Sequence, residues 1–391
     1  MLKNLLKPGI KTYICLICFT ILISSGTASF ASVLSSNDEE IKKEVEALFN
    51  ARSSAFVTGD LSVLENNFDL SRKQGLWAKE HEIKRVKYLH DWASARGIKF
   101  TSVNSEIRIK KISPKGDLTK VVLEETYKFD YIYPKDLKPA ANSFGVGIRH
   151  SLGLVKRNDR YLISHDWYTD CFEDALKAYD PSIKTIDLKK EPVFILNGRP
   201  RDAQYIPPQG RYNRTRAVQY ADKYCGAANG EGNNFKYNKK YEDFNGIGGD
   251  CTNFASQVLG DLEGGELRQD GTWYCHTGKF IRGQGSSAWV NADNFRNYVL
   301  YSGKGALIKK GTFKDLALPT AEFPHGITDK LELGDLICYA KGSNMDHFAV
   351  VTSWDSHGYP LVNSHTTDRY HVPWDLGWGD KNIFFHLIRI R

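Results

Sequence analysis

The sequence lacks the marks of several protein classes. It contains no Gly-x-Ser-x-Gly turn, no phosphate-binding glycine loop and no dinucleotide-binding fingerprint, which argues against the enzyme classes that depend on those motifs. No internal repeat or low-complexity tract is evident, and basic residues do not cluster with aromatic ones as in nucleic-acid-binding proteins. With 41% hydrophobic and 25% charged residues, the 391-residue chain is globular and long enough for two domains.

Long apolar runs are also scarce, and the one near the start has the features of a secretory signal. Residues 1–31 combine a basic start, a short apolar core over 14–23 and small residues before a cleavage site expected after Ala31. The basic start is supplied by three lysines: Lys3, Lys7 and Lys11. An uncleaved anchor would still place the remainder outside the membrane. We therefore expect a secreted, extracellular protein. The net charge of the chain is +7, which becomes +4 without the three leader lysines (7 − 3) and favours an acidic surface such as a cell wall.

Cysteine is rare, and its count is informative. Two of the seven cysteines lie in the predicted leader, and those that remain are Cys171, Cys225, Cys251, Cys275 and Cys338. In an oxidising compartment, an odd number leaves at least one thiol unpaired within the chain. Cys251 is the natural candidate for the free thiol, and the pairing of the other four is left open.

The sequence pattern of residues 36–170 predicts one α+β unit. A first helix runs from about residue 36 to the Gly59-Asp60 break, a second spans about 74–95, and four antiparallel strands follow. The second helix is expected to bury Trp77, Val86, Leu89 and Trp92. This order of elements resembles the nuclear-transport-factor-two-like cone. Since no acid–base pair stands out, we expect a binding or spacer module. Residues 171–210, with their proline and lysine clusters, predict a linker to a second domain over 211–391.

The most informative stretch of that second domain is a glycine turn followed by a helix. Gly246, Gly248 and Gly249 require a tight turn, and the apolar spacing after Phe254 predicts a helix. Asp250 is placed to cap that helix, which leaves Cys251 at about its first position. The helix dipole there favours a thiolate, so Cys251 is a candidate nucleophile. The alternative is a buried structural cysteine.

A cysteine nucleophile needs a base and a group that orients the base. The segment beginning at His347 and the segment ending at His365 predict a hairpin. If its turn is centred near Ser356, His347 and His365 face each other, and Asn363 faces Ala349. His347 is then the base and His365 its orienting partner, with Asn363 in reserve. A surface or structural role remains the alternative for both histidines.

A metal site was the competing interpretation of the same region. His365, Asp368 and His371 recur at three-residue steps and offer metal-binding side chains. Such steps suit a helix, whereas this segment follows a strand and precedes Pro373. We therefore expect neither a metal nor any other cofactor.

Four ordered motifs over residues 212–391 resemble the putative amidase domain family of secreted bacterial proteins. They are Tyr212-Asn213-Arg214 with its helix, Gly248 to Gln257, Leu333 to Ile337 with His347 on the next strand, and Ser364-His365-Thr366 with Asp368. The resemblance implies a papain-like fold related to NlpC-type and CHAP cell-wall enzymes. It implies Cys251 as nucleophile, His347 as general base and acid, and His365 or Asn363 as the third residue. It further implies that Asp250 and Tyr212 contact a substrate amino group.

Together these features predict a secreted cysteine amidase or peptidase. We expect Cys251 to attack an amide of cell-wall peptide, with its own backbone N–H as one oxyanion donor. Two alternatives use the same fold: an acyltransferase with the same cysteine, and a cell-wall-binding module without activity. A peptide or cell-wall substrate is the only partner expected. We expect a monomer that binds neither nucleic acid nor, once the leader is removed, a membrane.

Overall fold

The computed structural model describes residues 36–391 apart from 181, 183, 189, 202–209, 229–236, 279–282 and 380–381. The predicted leader and its cleavage site therefore lie outside the described residues, as does the Pro207-Pro208 part of the predicted linker. In the described part of the chain, no helix is both long and apolar enough to cross a bilayer.

The first half of the structure consists of helices followed by long strands. Its elements are α1 (Ser36–Thr58), α2 (Ser62–Glu65), α3 (Lys73–Ala95), β1 (Lys99–Lys115), β2 (Leu118–Ile132), β3 (Asn142–Arg157), β4 (Arg160–Trp167) and α4 (Glu173–Leu176). The two predicted long helices and the four antiparallel strands are confirmed. The prediction that Trp77 is buried is wrong, since this residue is 46% exposed. It lies nine residues before the buried Val86, which at 3.6 residues per turn places the two on opposite faces of α3.

The second half alternates short helices with a second set of strands. Its elements are α5 (Arg214–Lys223), α6 (Cys251–Gly260), α7 (Ser287–Val290), α8 (Ala292–Tyr301), β5 (Gly305–Gly311), α9 (Phe313–Ala317), β6 (Leu336–Lys341), β7 (Asn344–Trp354), β8 (Pro360–Ser364), β9 (Asp368–Pro373) and β10 (Ile383–Ile390). A short 3-10 helix, Ile327–Lys330, precedes β6. The segment predicted to begin at His347 begins at Asn344, because only two residues separate β6 from β7.

One antiparallel sheet runs through both halves. Its strand order is β1-β2-β3-β9-β8-β7-β6-β10-β5, and β4 pairs with β3 off this path. The halves join where Gly145–Gly147 of β3 pairs with Asp368–Tyr370 of β9. Gly147 is needed at this junction, since a Cβ there would lie 2.3 Å from the carbonyl carbon of Ala227. The fold is thus mixed α and β, built on a large antiparallel sheet.

Successive residues of β7 face two different cores. Phe348 and Val350 pack with α6 and α8 on one face, whereas Ala349 and Val351 pack on the other face with Trp374 and other side chains. The first-half helices cover β1–β4 in a third core. Because α6 lies against β7 and β8, the sheet carries the start of α6 next to the strand that contains His347.

We predict that Gly147→Ala destabilises the protein by roughly 1–3 kcal/mol, because the new methyl group forces the backbone at Ala227 to move. Denaturant unfolding monitored by circular dichroism would measure the change. Gly271→Ala is the matched control, since a Cβ there meets no atom within 4 Å. Equal stability of the two variants would contradict the close packing of this junction.

Candidate active site

Cys251 is the first residue of α6, as predicted, and follows a turn that only glycine adopts readily. Gly248 and Gly249 have φ values of +102° and +111°. The side chain of Cys251 is 8% exposed. Its Sγ lies beside the backbone N–H of Phe348 and 3.7 Å from the hydroxyl of Thr252. The thiol therefore sits between the start of α6 and strand β7.

The charge state of this thiol differs from the prediction. Burial raises the pKa of Cys251 above its ordinary value, although the N–H of Phe348 and the hydroxyl of Thr252 act in the opposite direction. The nearby Asp250 carboxylate adds to the increase. The expected lowering of the thiol pKa is therefore wrong for the resting protein, because burial disfavours the charged form.

Asp250 precedes α6 but does not cap it through its side chain. One carboxylate oxygen accepts hydrogen bonds from the Phe244 N–H at 3.1 Å and the Asn253 amide at 2.8 Å. The other lies 2.6 Å from Nδ1 of His365. The predicted cap is therefore wrong, because the preceding turn folds back onto the carboxylate. A buried carboxylate with these partners is also poorly placed for the predicted contact with a substrate amino group.

His347 lies on β7 opposite Tyr339, and it is 5% exposed. Its ring centroid is 5.5 Å from that of Tyr339 and 5.4 Å from that of Trp378. Among the described residues, Nε2 has no hydrogen-bond partner. Burial lowers the pKa of His347 well below its ordinary value, and the positive charges of Arg369 and Lys341 lower it further. The imidazole is thus neutral at neutral pH, with a ring nitrogen not committed elsewhere.

Cys251 and His347 are connected through the backbone of β7, since α6 covers the Phe348 face of the strand whereas the His347 ring packs with Tyr339 and Trp378 of the core on the other face. The sulfur lies at the N–H of Phe348, the residue directly after His347. Within the described part of the chain, no hydrogen bond joins the sulfur to the imidazole. Catalytic hydrogen bonds are often long or absent before substrate binds, so this arrangement is compatible with a nucleophile and its base.

The predicted register of the hairpin is wrong. Val350 pairs with Asn363 and Val351 with Val362, after which the register shifts before Ser353 pairs with Leu361. The turn is centred near His357 rather than Ser356, because Asp355 and Tyr359 close it with a backbone hydrogen bond of 3.0 Å. Since β8 ends at Ser364, His365 lies beyond the paired segment and does not face His347.

His365 is bound at both ring nitrogens. Nδ1 contacts Asp250 at 2.6 Å, Nε2 contacts the carbonyl oxygen of Tyr224 at 2.7 Å, and the ring stacks on Phe254 at 4.0 Å. Its contacts are therefore with α5 and α6, and the structure gives it none with His347. These bonds do not orient His347, which is the role predicted for His365.

Asn363, the reserve candidate, is also committed to other groups. Its carbonyl oxygen accepts bonds from the Thr352 hydroxyl and the His371 N–H, each at 2.8 Å. Its amide donates to Asp222 at 2.8 Å. What the sequence analysis missed are the neighbours that hold the His347 ring, Tyr339 and Trp378. Aromatic enrichment alone does not distinguish such residues from ordinary core.

Tyr212 belongs to the core rather than to a substrate site. Its side chain is buried, and its hydroxyl donates to the carbonyl oxygen of Gly334 at 2.9 Å. It closes the turn before β6, and the predicted contact with a substrate amino group is not compatible with this position. The helix expected to open at Tyr212 begins two residues later, with Asn213 as its N-cap.

The residues of the competing metal hypothesis point to separate partners. His371 contacts Asp222 at 3.0 Å, and Asp368 accepts the N–H of Ala227 at 2.8 Å. In the described ranges, no group of three histidine, cysteine, aspartate or glutamate side chains is arranged to hold a metal. Cys171, Cys251, Cys275 and Cys338 are free thiols.

Comparison with known proteins identifies the second half of the chain. Residues 211–388 match the model of the family described as "Putative amidase domain". This part of the chain is similar to that family. The resemblance drawn from the four sequence motifs is thereby confirmed.

Two relatives from Bacillus subtilis (strain 168) are named as uncharacterized. YjcM is 34% identical over 164 residues, which are 41% of this chain and 32% of that protein. YhbB is 27% identical over 190 residues, which are 46% of this chain and 51% of that protein. The chain thus spans about a third and about half of the lengths of these relatives.

Among solved structures, the intermembrane space region of the chloroplast protein ARC6 aligns with a TM-score of 0.24 and 9% identity. The alignment covers 33% of this chain and 94% of that one. A similarity this low supports no conclusion about the fold.

We predict slow alkylation of Cys251 in the folded protein at pH 7. The rate should fall below that of free cysteine by roughly tenfold per unit of pKa increase, because only the thiolate reacts. Peptide mass spectrometry after timed iodoacetamide treatment from pH 6 to pH 10 would give the profile. The same cysteine in the urea-unfolded protein is the control. A plateau already reached at pH 7 in the folded protein would show an activated thiolate instead.

We also predict that His365→Phe costs roughly 3 kcal/mol of stability. The variant keeps the stacking on Phe254 but leaves the buried Asp250 carboxylate without its histidine partner. Urea unfolding would measure the loss, with the exposed His276 changed to Phe as the control. A His365→Phe protein as stable as the control would refute the structural role of this pair.

Proposed function

We propose that the protein is a secreted cysteine amidase or peptidase in which Cys251 and His347 act as a catalytic pair. One observation carries the proposal. The Cys251 sulfur lies against β7 at the residue that follows His347, whose buried Nε2 has no partner among the described residues. The match to the amidase domain family supports an amide as the bond that is cleaved.

The arrangement of elements supports a papain-like fold for the second half. A cysteine begins a helix, a later strand carries the histidine, and the helix packs on that strand and the next one. That order, nucleophile helix before base strand, is the one the family resemblance implies. We likewise propose that the helices and four strands of the first half form the cone-like unit that the sequence predicts.

The proposed reaction starts from a neutral Cys251 thiol and a neutral His347 imidazole. As the sulfur attacks the amide carbonyl carbon, His347 accepts the thiol proton, and the N–H of Cys251 donates to the developing oxyanion. His347 then gives that proton to the leaving amine as the C–N bond breaks, which leaves a thioester on Cys251. Water, deprotonated by His347, attacks the thioester carbon; the C–S bond breaks, the acid is released, and His347 returns the proton to the Cys251 sulfur.

We propose a pair here rather than the predicted Cys–His–His triad. His365 and Asn363 make their hydrogen bonds elsewhere, so the His347 ring is held by packing between Tyr339 and Trp378. This arrangement leaves the His347 tautomer to be set by the substrate or water. Cell-wall peptide remains the substrate class we favour, and an extracellular location the site of action, on the basis of the family resemblance and the leader.

The test is digestion of purified cell wall by the full-length protein, with released fragments identified by mass spectrometry. We expect Cys251→Ala and His347→Ala each to lower the rate by a factor on the order of 1,000 or more, because each removes a group that acts in the reaction. Cys275→Ala and His386→Ala are matched controls. Cys275 is a buried free thiol, and the buried His386 on β10 has two unpartnered ring nitrogens among the described residues.

Full activity of Cys251→Ala would refute cysteine catalysis. Detection of a thioester adduct on Cys251 after rapid quenching would support it. Inclusion of a competing amine separates hydrolysis from acyl transfer, because a transferase would convert the acyl group into a new amide. A protein that binds cell wall and releases nothing would be the non-catalytic binding module.

A further inference from the structure

A cavity of about 150 Å³ lies next to the proposed catalytic histidine, between the two halves of the chain. From the second half it is lined by Thr367, Arg369 and Trp378, among others, and from the first half by the segment around Cys171. Trp378 also forms one side of the His347 cage, with ring centroids 5.4 Å apart. A group bound in this cavity is therefore separated from His347 by the ring of Trp378.

Arg369 is the distinctive residue of this cavity. It is 4% exposed, and its guanidinium donates to two backbone carbonyl oxygens, those of Leu376 and Cys171, each at 2.7 Å. Its Nε has no hydrogen-bond partner among the described residues, and none of their carboxylates lies within ion-pair distance of the guanidinium. Arg369 is thus a buried cation with no counter-charge among those residues.

The other buried arginines of the described chain are all paired with carboxylates. Arg52 lies 2.8 Å from Asp166, Arg85 lies 3.0 Å from Asp170, and Arg214 lies 2.8 Å from Asp335. Arg96 is likewise paired with Asp375. Since leaving a buried charge unpaired is costly, this chain pairs its buried guanidinium groups as a rule. Arg369 is the exception, and it borders a cavity.

Two further polar atoms at the cavity lack partners among the described residues. The hydroxyl of Thr367 and the indole Nε1 of Trp378 are both buried and unbonded. Together with Nε of Arg369, they are buried donors on three residues that line the cavity, and the guanidinium adds one positive charge. None of the four acidic groups at the cavity pairs with Arg369. Asp170 pairs with Arg85, both Asp174 and Asp346 pair with Lys341, and Glu173 is exposed, as is the lysine Lys177 that also lines the cavity.

We propose that this cavity binds a carboxylate group of the substrate and that Arg369 determines this specificity. The inference rests on the proposed function, since it assigns the cavity to the same amide substrate. A carboxylate accepts hydrogen bonds from several donors and supplies the missing negative charge. The favoured substrate is then a peptide with a free carboxylate, at its C-terminus or on an acidic side chain, close to the amide that is cleaved.

Binding to the full-length Cys251→Ala protein tests this without requiring catalysis. The probes are N-acetyl-alanyl-alanine and N-acetyl-alanyl-glutamate, each compared by calorimetry with its carboxamide counterpart. We expect the acid of at least one pair to bind roughly tenfold more tightly or better, the range of a hydrogen bond to a charged group. Arg369→Gln should abolish the difference, and Arg369→Lys should restore part of it. Arg296→Gln, an arginine of α8 outside the cavity, should leave it unchanged.

Equal binding of acid and carboxamide in both pairs, or no binding of either, would overturn the proposal. The acid–amide comparison uses unaltered Arg369, so it remains decisive even if Arg369→Gln fails to fold. An acid preference in a protein that cleaves no amide would refute the proposed function and leave the carboxylate site standing. Amide cleavage by the protein with Cys251 intact, without any preference for the acid, would support the proposed function and refute the carboxylate site.

Discussion

The contact between Asp250 and His365 holds the candidate site together. Nδ1 of His365 lies 2.6 Å from the carboxylate before α6, while Nε2 bonds the carbonyl oxygen of Tyr224 after α5. A single imidazole thus links two helices to the segment that joins β8 and β9. Asp250 in turn fixes the glycine turn through the Phe244 N–H. The Thr366 hydroxyl, which accepts the Asp250 N–H at 2.6 Å, adds a second bond between this segment and the start of α6.

The first half of the chain supports the other side of the site. Its Tyr88 hydroxyl accepts the N–H of Gly377 at 2.6 Å, and its Trp92 indole donates to Asp375 at 3.0 Å. These bonds fix the segment that carries Trp378, one of the two rings around His347. A unit expected to be a binding module or spacer therefore helps to shape the surroundings of the base. The continuous sheet through β3 and β9 makes that contact rigid.

What the sequence predicted correctly is local. The glycine turn and apolar spacing located Cys251 at the start of α6, and periodicity located the long helices and strands. The failures are non-local. A turn centred near His357 instead of Ser356 moved His365 out of register, and no pattern indicated that Trp378 would pack on His347. The direction of the Cys251 pKa shift depends on burial by the whole fold, which neighbouring residues do not reveal.

The electrostatics of the site connect the catalytic proposal to the cavity. Burial raises the pKa of the thiol and lowers that of His347, so the resting pair is neutral and the proton must move during attack. Arg369 and Lys341 contribute to the low pKa of His347, and Lys341 is already paired with Asp346 at 2.9 Å. A carboxylate bound at Arg369 would offset the remaining positive charge and make His347 a stronger base. Binding of the substrate carboxylate at Arg369 would then also activate His347 as the base.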